Sequence, residues 1–237
     1  MPRLVAAAQF VPRTGDIERN IKITIQLLSE AASAGAKLVV FPELCICGRP
    51  SSRVEASDLA LQRDSGLFDK IIDVCINFDC YAVFGFIELA YGNLYNSAAL
   101  VGPEGLLTVS RKRNLGGLEF VWAKTGETYP SVVTKIGRFG ILIGDDVSNE
   151  PAFSGSKVEP FIRPGSVDVV GILQSSETSS FPAADWVHLA ESLPAAVIVG
   201  NSSSQLGASC VIDRNREIWV SGVSMDGASI TGGYIQS

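Results

Sequence analysis

Three charged residues in this chain have the types and surroundings that acid–base and electrophilic chemistry require. Glu43 sits in Phe41-Pro-Glu-Leu44 at the end of an apolar run, Lys112 sits in Arg111-Lys-Arg-Asn-Leu115, and Glu119 precedes Gly126 by seven residues. A carboxylate can take and return a proton, and an ammonium can stabilise negative charge that develops on a carbonyl oxygen. A further segment, Arg138-Phe-Gly-Ile-Leu-Ile-Gly-Asp-Asp-Val-Ser-Asn-Glu-Pro151, places Asp145, Asp146 and the hydroxyl of Ser148 directly after Gly144. A nucleophile is harder to find. Ser148 has no histidine in view, because the single histidine, His188, lies in Trp186-Val-His-Leu189 and reads as a surface or satisfied core residue of a helix. Cys45 and Cys47 are close to Glu43, and strand alternation would point both to its side, but cysteines in an apolar run are packing residues first. Cys210 reads as packing as well.

The elements that must hold these groups alternate between strand and helix. Leu4 to Phe10 is a short apolar strand. Asp16 then offers an N-cap with Glu18 in the first turn, and Ile17, Ile21, Ile25, Leu28 and Ala32 fall on one helical stripe that stops at Gly35. Lys37 to Leu44 reads as a buried strand ending at Pro42, which puts Glu43 at a strand's C-terminal end, where open α/β sheets gather their chemistry. A second stripe runs from Gly66 to Phe78 and feeds a strand from Tyr81 to Glu88. Hairpins are expected across Gly102-Pro-Glu-Gly105 and Lys135-Ile-Gly-Arg138. Val167 to Leu173 and Ala196 to Gly200 read as strands with a helix from Ala183 to Leu193 between them, followed by two short strands around Asp213-Arg-Asn-Arg216. The pattern predicts a mixed sheet covered by helices.

Composition narrows the function classes. The 237 residues are 46% hydrophobic and 19% charged with no Ser/Gly/Pro linker, which predicts one domain, residues 1–237. A net charge of −6 argues against nucleic acid, whose readers need a basic stripe. Five cysteines form an odd set in a chain with its own core, so a reducing cytoplasm is expected in place of a disulfide framework. Cys45-Ile-Cys47 and one histidine make a poor zinc set, and no metal or cofactor is expected. No apolar run approaches the length of a membrane span, and a soluble, unprocessed protein is expected.

Taken in order, these segments resemble the nitrilase, or carbon–nitrogen hydrolase, superfamily. Phe41-Pro-Glu-Leu44 with Gly48 resembles F-P-E-x-x-x-x-G, whose glutamate is the general base. Arg111-Lys-Arg-Asn-Leu115 resembles Y-R-K-x-H-L, whose lysine steadies the oxyanion, with Ser110 and Asn114 replacing the tyrosine and histidine. Glu119 and Gly126 match E-x-x-F-x-x-x-G, whose glutamate positions the lysine or the substrate. Tyr95-Asn-Ser-Ala98, Asn201 and Gly207-Ala-Ser-Cys-Val-Ile-Asp213 add support, so the resemblance runs from Leu4 to about Ile230. The stretch at residues 138–151 resembles R-x-G-x-x-I-C-x-D-x-x-x-P-E, whose cysteine is the nucleophile, and Gly144 stands at that position. Asp146 aligns with the family's aspartate and reads as structural. Asp145 is unusual there, since it adds negative charge beside the missing thiol.

The resemblance implies a four-layer αββα sandwich and a homodimer paired through helices on one face. It lacks the long C-terminal tail of larger relatives, so filaments are not expected. Three functional readings stay open. One is a pseudoenzyme whose polar pocket of Glu43, Lys112, Glu119, Asp145, Asp146 and Ser148 binds a small amine or amide. Another is an active hydrolase of amide, nitrile or carbamoyl bonds that uses water or a relocated nucleophile. The last is an ordinary amidase whose cysteine was deliberately replaced, which the drift at Asp145 and at Val147-Ser-Asn149 argues against.

Overall fold

The computed structural model describes residues 2–147, 166–175, 186, 190–191, 193, 195–202, 209–220 and 228–236. The chain starts with strand β1 (Arg3–Gln9) and helix α1 (Ile17–Ser33). Asp16 caps the helix by accepting a hydrogen bond from the Arg19 amide, and Glu18 sits in the first turn. Of the stripe read from the sequence, Ile21, Leu28 and Ala32 are buried, and Ile17 and Ile25 pack partly buried against the same core. After β2 (Leu38–Val40) come two short helices, α2 (Arg53–Asp58) and α3 (Asp69–Phe78). An antiparallel meander follows: β3 (Tyr81–Ala90), β4 (Asn93–Gly102) and β5 (Gly105–Arg111). The one-turn helix α4 (Glu119–Trp122) leads to the hairpin β6 (Ser131–Thr134) and β7 (Gly137–Ile143). The remaining strands are β8 (Val169–Gln174), β9 (Ala196–Asn201), β10 (Cys210–Ile212), β11 (Ile218–Val220) and β12 (Ser229–Ile235). The helix expected at 183–193 lies largely outside the described residues, although Trp186, Ala190 and Glu191 are helical.

The strands form one folded-over sheet in the order β5-β4-β3-β2-β1-β9-β8-β7-β6, with β12 on β1 and β10 and β11 beyond β9. Its two halves join at a single register pair, Gln9 with Asn201. Each half has a parallel centre, β1-β2-β3 in one and β7-β8-β9 in the other, flanked by antiparallel strands. Alternation along the strands sorts the apolar residues into separate cores. Ala82, Phe84 and Phe86 pack against α1 and α3, whereas Val40, Val83, Phe139, Ile141 and Leu173 pack between the two halves of the sheet. Val170, Ile172 and Val199 face outward with Trp186 and Ala190. Three apolar interlayers require four layers, so the fold is the expected αββα sandwich, with its sheet nearly closed into a barrel. No helix among the described residues is long and apolar enough to cross a membrane.

Candidate active site

The C-terminal ends of β2, β5 and β7 and the first half of β4 meet between the two halves of the sheet. Glu43 follows β2 in a turn that runs to Cys47. The Glu43 amide donates to the Gln174 carbonyl across the sandwich at 3.3 Å. The buried Asn20 of α1 holds the far side of the turn, with Nδ2 donating to the carbonyls of Ile46 at 3.0 Å and Arg13 at 2.8 Å. The turn lies directly on β3 at Gly85, where a Cβ would collide with the backbone of Glu43 and Leu44. Lys112 leaves β5 with its amide donating to the Asn96 carbonyl of β4 at 2.8 Å. Gly144 begins a 3-10 turn at the end of β7 with φ +48°, a left-handed conformation that glycine adopts without steric cost.

Asp146 ties this turn to the loop that follows Lys112. Its Oδ1 accepts from the amides of Arg113 at 3.0 Å and Asn114 at 2.9 Å, and its Oδ2 accepts from Ile143 at 3.1 Å. Burial pushes its pKa up to about 6, against the opposing pull of those amide donors. This carboxylate holds the turn through those amides, and Lys112 acts on it electrostatically.

Lys112 is 2% exposed, and its Nζ reaches three carboxylates: Glu119 Oε2 at 2.7 Å, Glu43 Oε1 at 2.9 Å and Asp145 Oδ2 at 3.0 Å. An ammonium has three N–H donors, so the cluster takes all of them. Burial alone would lower the lysine's pKa, but Glu43, Glu119 and Asp145 together push it up, and Lys112 is locked in its charged form. For Glu43 burial is the dominant influence. It raises the carboxyl pKa despite Lys112, and the neighbouring Glu119 adds to the rise. Asn96 bridges the two glutamates, with Nδ2 donating to Glu43 Oε1 at 2.7 Å and to Glu119 Oε1 at 2.5 Å. Its own Oδ1 is buried without a hydrogen-bond partner. Glu119, at the start of α4, also accepts from the Gly116 amide at 2.9 Å.

A Cβ placed on Gly144 would lie 2.7 Å from Lys112 Nζ and 2.8 and 3.0 Å from the Glu43 oxygens. Residue 144 therefore points at the ion pair, and the pair stands in the space its side chain would need. Nothing in the cluster replaces a nucleophile. Lys112 has no free electron pair, and Cys45 and Cys47 face away. The sequence expectation that both cysteines share Glu43's side fails because residues 43–47 form a turn, not an extended strand. Both thiols are buried in the helix-side core, with Cys45 Sγ against the Gly85 carbonyl and Cys47 Sγ against the Leu59 carbonyl. Burial raises the pKa of both, that of Cys47 to about 12. Cys210 is buried in the opposite outer core, and burial pushes its thiol up to about 12. Ser148 and His188 lie outside the described residues. Among the described residues no group of three or more His, Cys, Asp or Glu side chains could hold a metal ion.

A carbon–nitrogen hydrolase family model matches residues 4–150, more than half of the sequence. The chain belongs to this family. Similar members include the protein N-terminal amidase of Schizosaccharomyces pombe, 30% identical over 153 residues that cover 59% of this chain and 54% of that protein. A cyanide hydratase of Botryotinia fuckeliana is 33% identical over 58% of this chain and 41% of its own length. A glutamine-dependent NAD(+) synthetase of Thermotoga maritima is 34% identical over 65% of this chain and 28% of its own length. The chain thus spans about half, or less, of the length of these carbon–nitrogen hydrolase relatives. Among solved structures, glutamine-dependent NAD+ synthetase from Acinetobacter baumannii superposes on all of this chain and 46% of its own, with a TM-score of 0.81 and 25% identity. An amidase from Nesterenkonia sp. superposes on 98% of this chain and 89% of its own, with a TM-score of 0.79. At 16% identity that second likeness speaks for the fold alone.

Sequence reasoning placed Glu43, Lys112, Glu119, Gly144 and Asp145 at the site, and the structure brings all five together. It gave Asn96 only a supporting match in Tyr95-Asn-Ser-Ala98, although this side chain touches both glutamates. A buried amide on a strand next to Lys112 was the available signal.

Proposed function

We propose that this carbon–nitrogen hydrolase homologue binds a small amine or amide non-covalently between Glu43, Lys112, Glu119 and Gly144 and forms no acyl intermediate. The observation that carries the reading is position 144, which faces the ion pair and has no side chain to attack with. Three carboxylates around one ammonium leave the cluster with excess negative charge, which favours an amine or an amide N–H over a carboxylate ligand. Asn96 Oδ1 adds a buried acceptor with nothing to accept from, and a ligand N–H would satisfy it. Asp145 is 42% exposed and marks the open side from which such a ligand would enter.

A second reading, direct attack by water, draws on Glu43, whose burial shifts its basicity toward the neutral range where a general base works best. Thermal unfolding with alkylamines and simple amides, run beside an ammonia-release assay on amides, nitriles and N-carbamoyl compounds, separates the two. Ligand-dependent stabilisation without turnover is expected. Ammonia release that survives replacement of all five cysteines and vanishes in Glu43→Gln would overturn the binding reading. The same reading takes the protein to be a homodimer paired through its outer helices in a reducing, cytoplasmic setting, and sedimentation tests the assembly.

A further inference from the structure

On the face of the β3-β4-β5 meander opposite Asn96 and Lys112, Glu88 of β3 is fully buried and accepts from two guanidiniums. Arg111 donates to it through Nε at 2.7 Å and Nη2 at 3.0 Å, and Arg63 through Nε at 2.7 Å. Ser97 Oγ completes its shell at 2.8 Å. The Arg111 guanidinium carbon also lies 3.9 Å from the centre of the Tyr95 ring and 5.8 Å from that of Tyr91. A guanidinium carries five N–H donors, so both arginines keep donors beyond those spent on Glu88. Arg111 is fixed by its carboxylate and its ring contact, the condition under which an arginine binds an anion at low entropic cost.

These groups open onto a cavity of about 420 Å³ whose wall includes Arg63, Arg111, Lys124, Thr125, Thr128 and Tyr91. Three cations meet only two carboxylates there, Glu88 behind the arginines and Glu127 on the wall, so the cavity is locally positive in a chain of net charge −6. Tyr91 supplies the second observation. It forms a two-residue hairpin turn with Gly92, at φ +51° and +72°, and its ring is 90% exposed. An aromatic residue in the left-handed region is uncommon, since such turns favour Asn or Gly there. Strain of this kind collects at ligand sites.

We propose that this cavity binds a small organic anion, a phosphate or carboxylate headgroup on a flat ring. The headgroup would sit on Arg63, Arg111 and Lys124, and the ring on Tyr91. The site is separate from the Gly144 cluster. Isothermal titration of the whole chain with phenyl phosphate, benzoate, inorganic phosphate and phenol tests it. At least one aryl anion is expected to bind at least tenfold more tightly than inorganic phosphate, with no heat from phenol, and the tighter aryl anion names the headgroup. Lys124→Ala should weaken binding fivefold or more without moving the unfolding temperature of the free protein, and Arg63→Ala should weaken it as much while lowering that temperature, because its bond to the buried Glu88 is lost. Tyr91→Asn, which tolerates the left-handed backbone, should abolish the preference for the aryl anion over inorganic phosphate. Glu43→Gln, a change in the other site, should leave the affinity for these anions as it was. No binding of either aryl anion at millimolar concentration would overturn the proposal, as would binding indifferent to Arg63→Ala and Tyr91→Asn, or binding lost in Glu43→Gln.

Discussion

Replacing Gly144 by cysteine restores the group that family resemblance places there, and the structure sets its cost. The new Cβ would arrive 2.7 Å from Lys112 Nζ and 2.8 Å from Glu43 Oε1, well inside contact distance, so the ends of both side chains must retreat. Overpacking of this kind costs about 1–3 kcal/mol. The φ of +48° adds roughly 1–2 kcal/mol once a Cβ is present. The expected destabilisation is therefore about 2–5 kcal/mol, or a fall in Tm of about 4–20 °C for a domain of this size. Gly144→Ala bears the same backbone and Cβ costs with no thiol and serves as the reference. Urea unfolding should place the two variants within about 1 kcal/mol of each other, since their difference is one buried sulfur. Only the cysteine variant should release ammonia from amides in a coupled assay. A Gly144→Ala protein as stable as the parent would refute the reasoning, because it would mean that Glu43 and Lys112 had not closed over position 144.

Lys112→Met strips from three carboxylates the ammonium that pairs with all of them and should cost about 3–5 kcal/mol at pH 7, the scale for breaking a buried pair. Circular dichroism should show folding recovering as the pH is lowered, because protonation relieves the repulsion left by the missing ammonium. Asn96→Ala leaves two glutamate oxygens without their shared donor and should cost about 1–3 kcal/mol in urea unfolding. Asp145→Asn, at a half-exposed position, should change stability by less than about 1 kcal/mol while weakening any amine ligand seen by thermal shift. The raised pKa of Asp146 means that the folded chain holds its proton more tightly than the unfolded chain. Its contribution to stability should therefore fall as pH rises from the ordinary value of 3.8 toward about 6. Unfolding free energies from pH 3.5 to 7 should show the parent losing up to about 3 kcal/mol relative to Asp146→Asn across that window. An unchanged difference would mean that the three amide donors cancel the effect of burial.

The parts of the fold that could be read in the sequence are those whose own periodicity decides them. The α1 stripe and its Asp16 cap, the β4–β5 hairpin at Gly102–Gly105 and the apolar runs of β8 and β9 carry their signal locally. Strand β12 does not. It carries Gly232-Gly233, yet all seven residues pair with β1, and the ring of Trp219 lies over Gly233 where a side chain would otherwise stand. That requirement comes from a residue on another strand, so no local window holds it. Helix α2 is similar: six residues capped by Ser52 are too few to show a stripe. Leu44-Cys-Ile-Cys47 is apolar and reads as extended, yet residues 43–47 form a turn, because periodicity cannot separate a buried turn from a buried strand.

The site raises a different question, because residue types were legible while their state was not. A lysine that stabilises an oxyanion needs a donor left over for it. Here Glu43 and Glu119 take two N–H groups and Asp145 takes the third, so any developing oxyanion would have to displace a carboxylate. Asp145 is the neighbour of Gly144 in sequence, and under the proposed reading the two features belong together. Without a thiol there is no tetrahedral intermediate to stabilise, and a donor left unused in a buried site carries a desolvation cost that a nearby carboxylate removes. The same carboxylate gives the cluster its excess negative charge, which repels the anionic groups a hydrolase must stabilise and attracts an N–H or ammonium instead. Under the proposed reading, the cluster is suited to holding an N–H or ammonium group by the carboxylate of Asp145 and the absence of a side chain at Gly144.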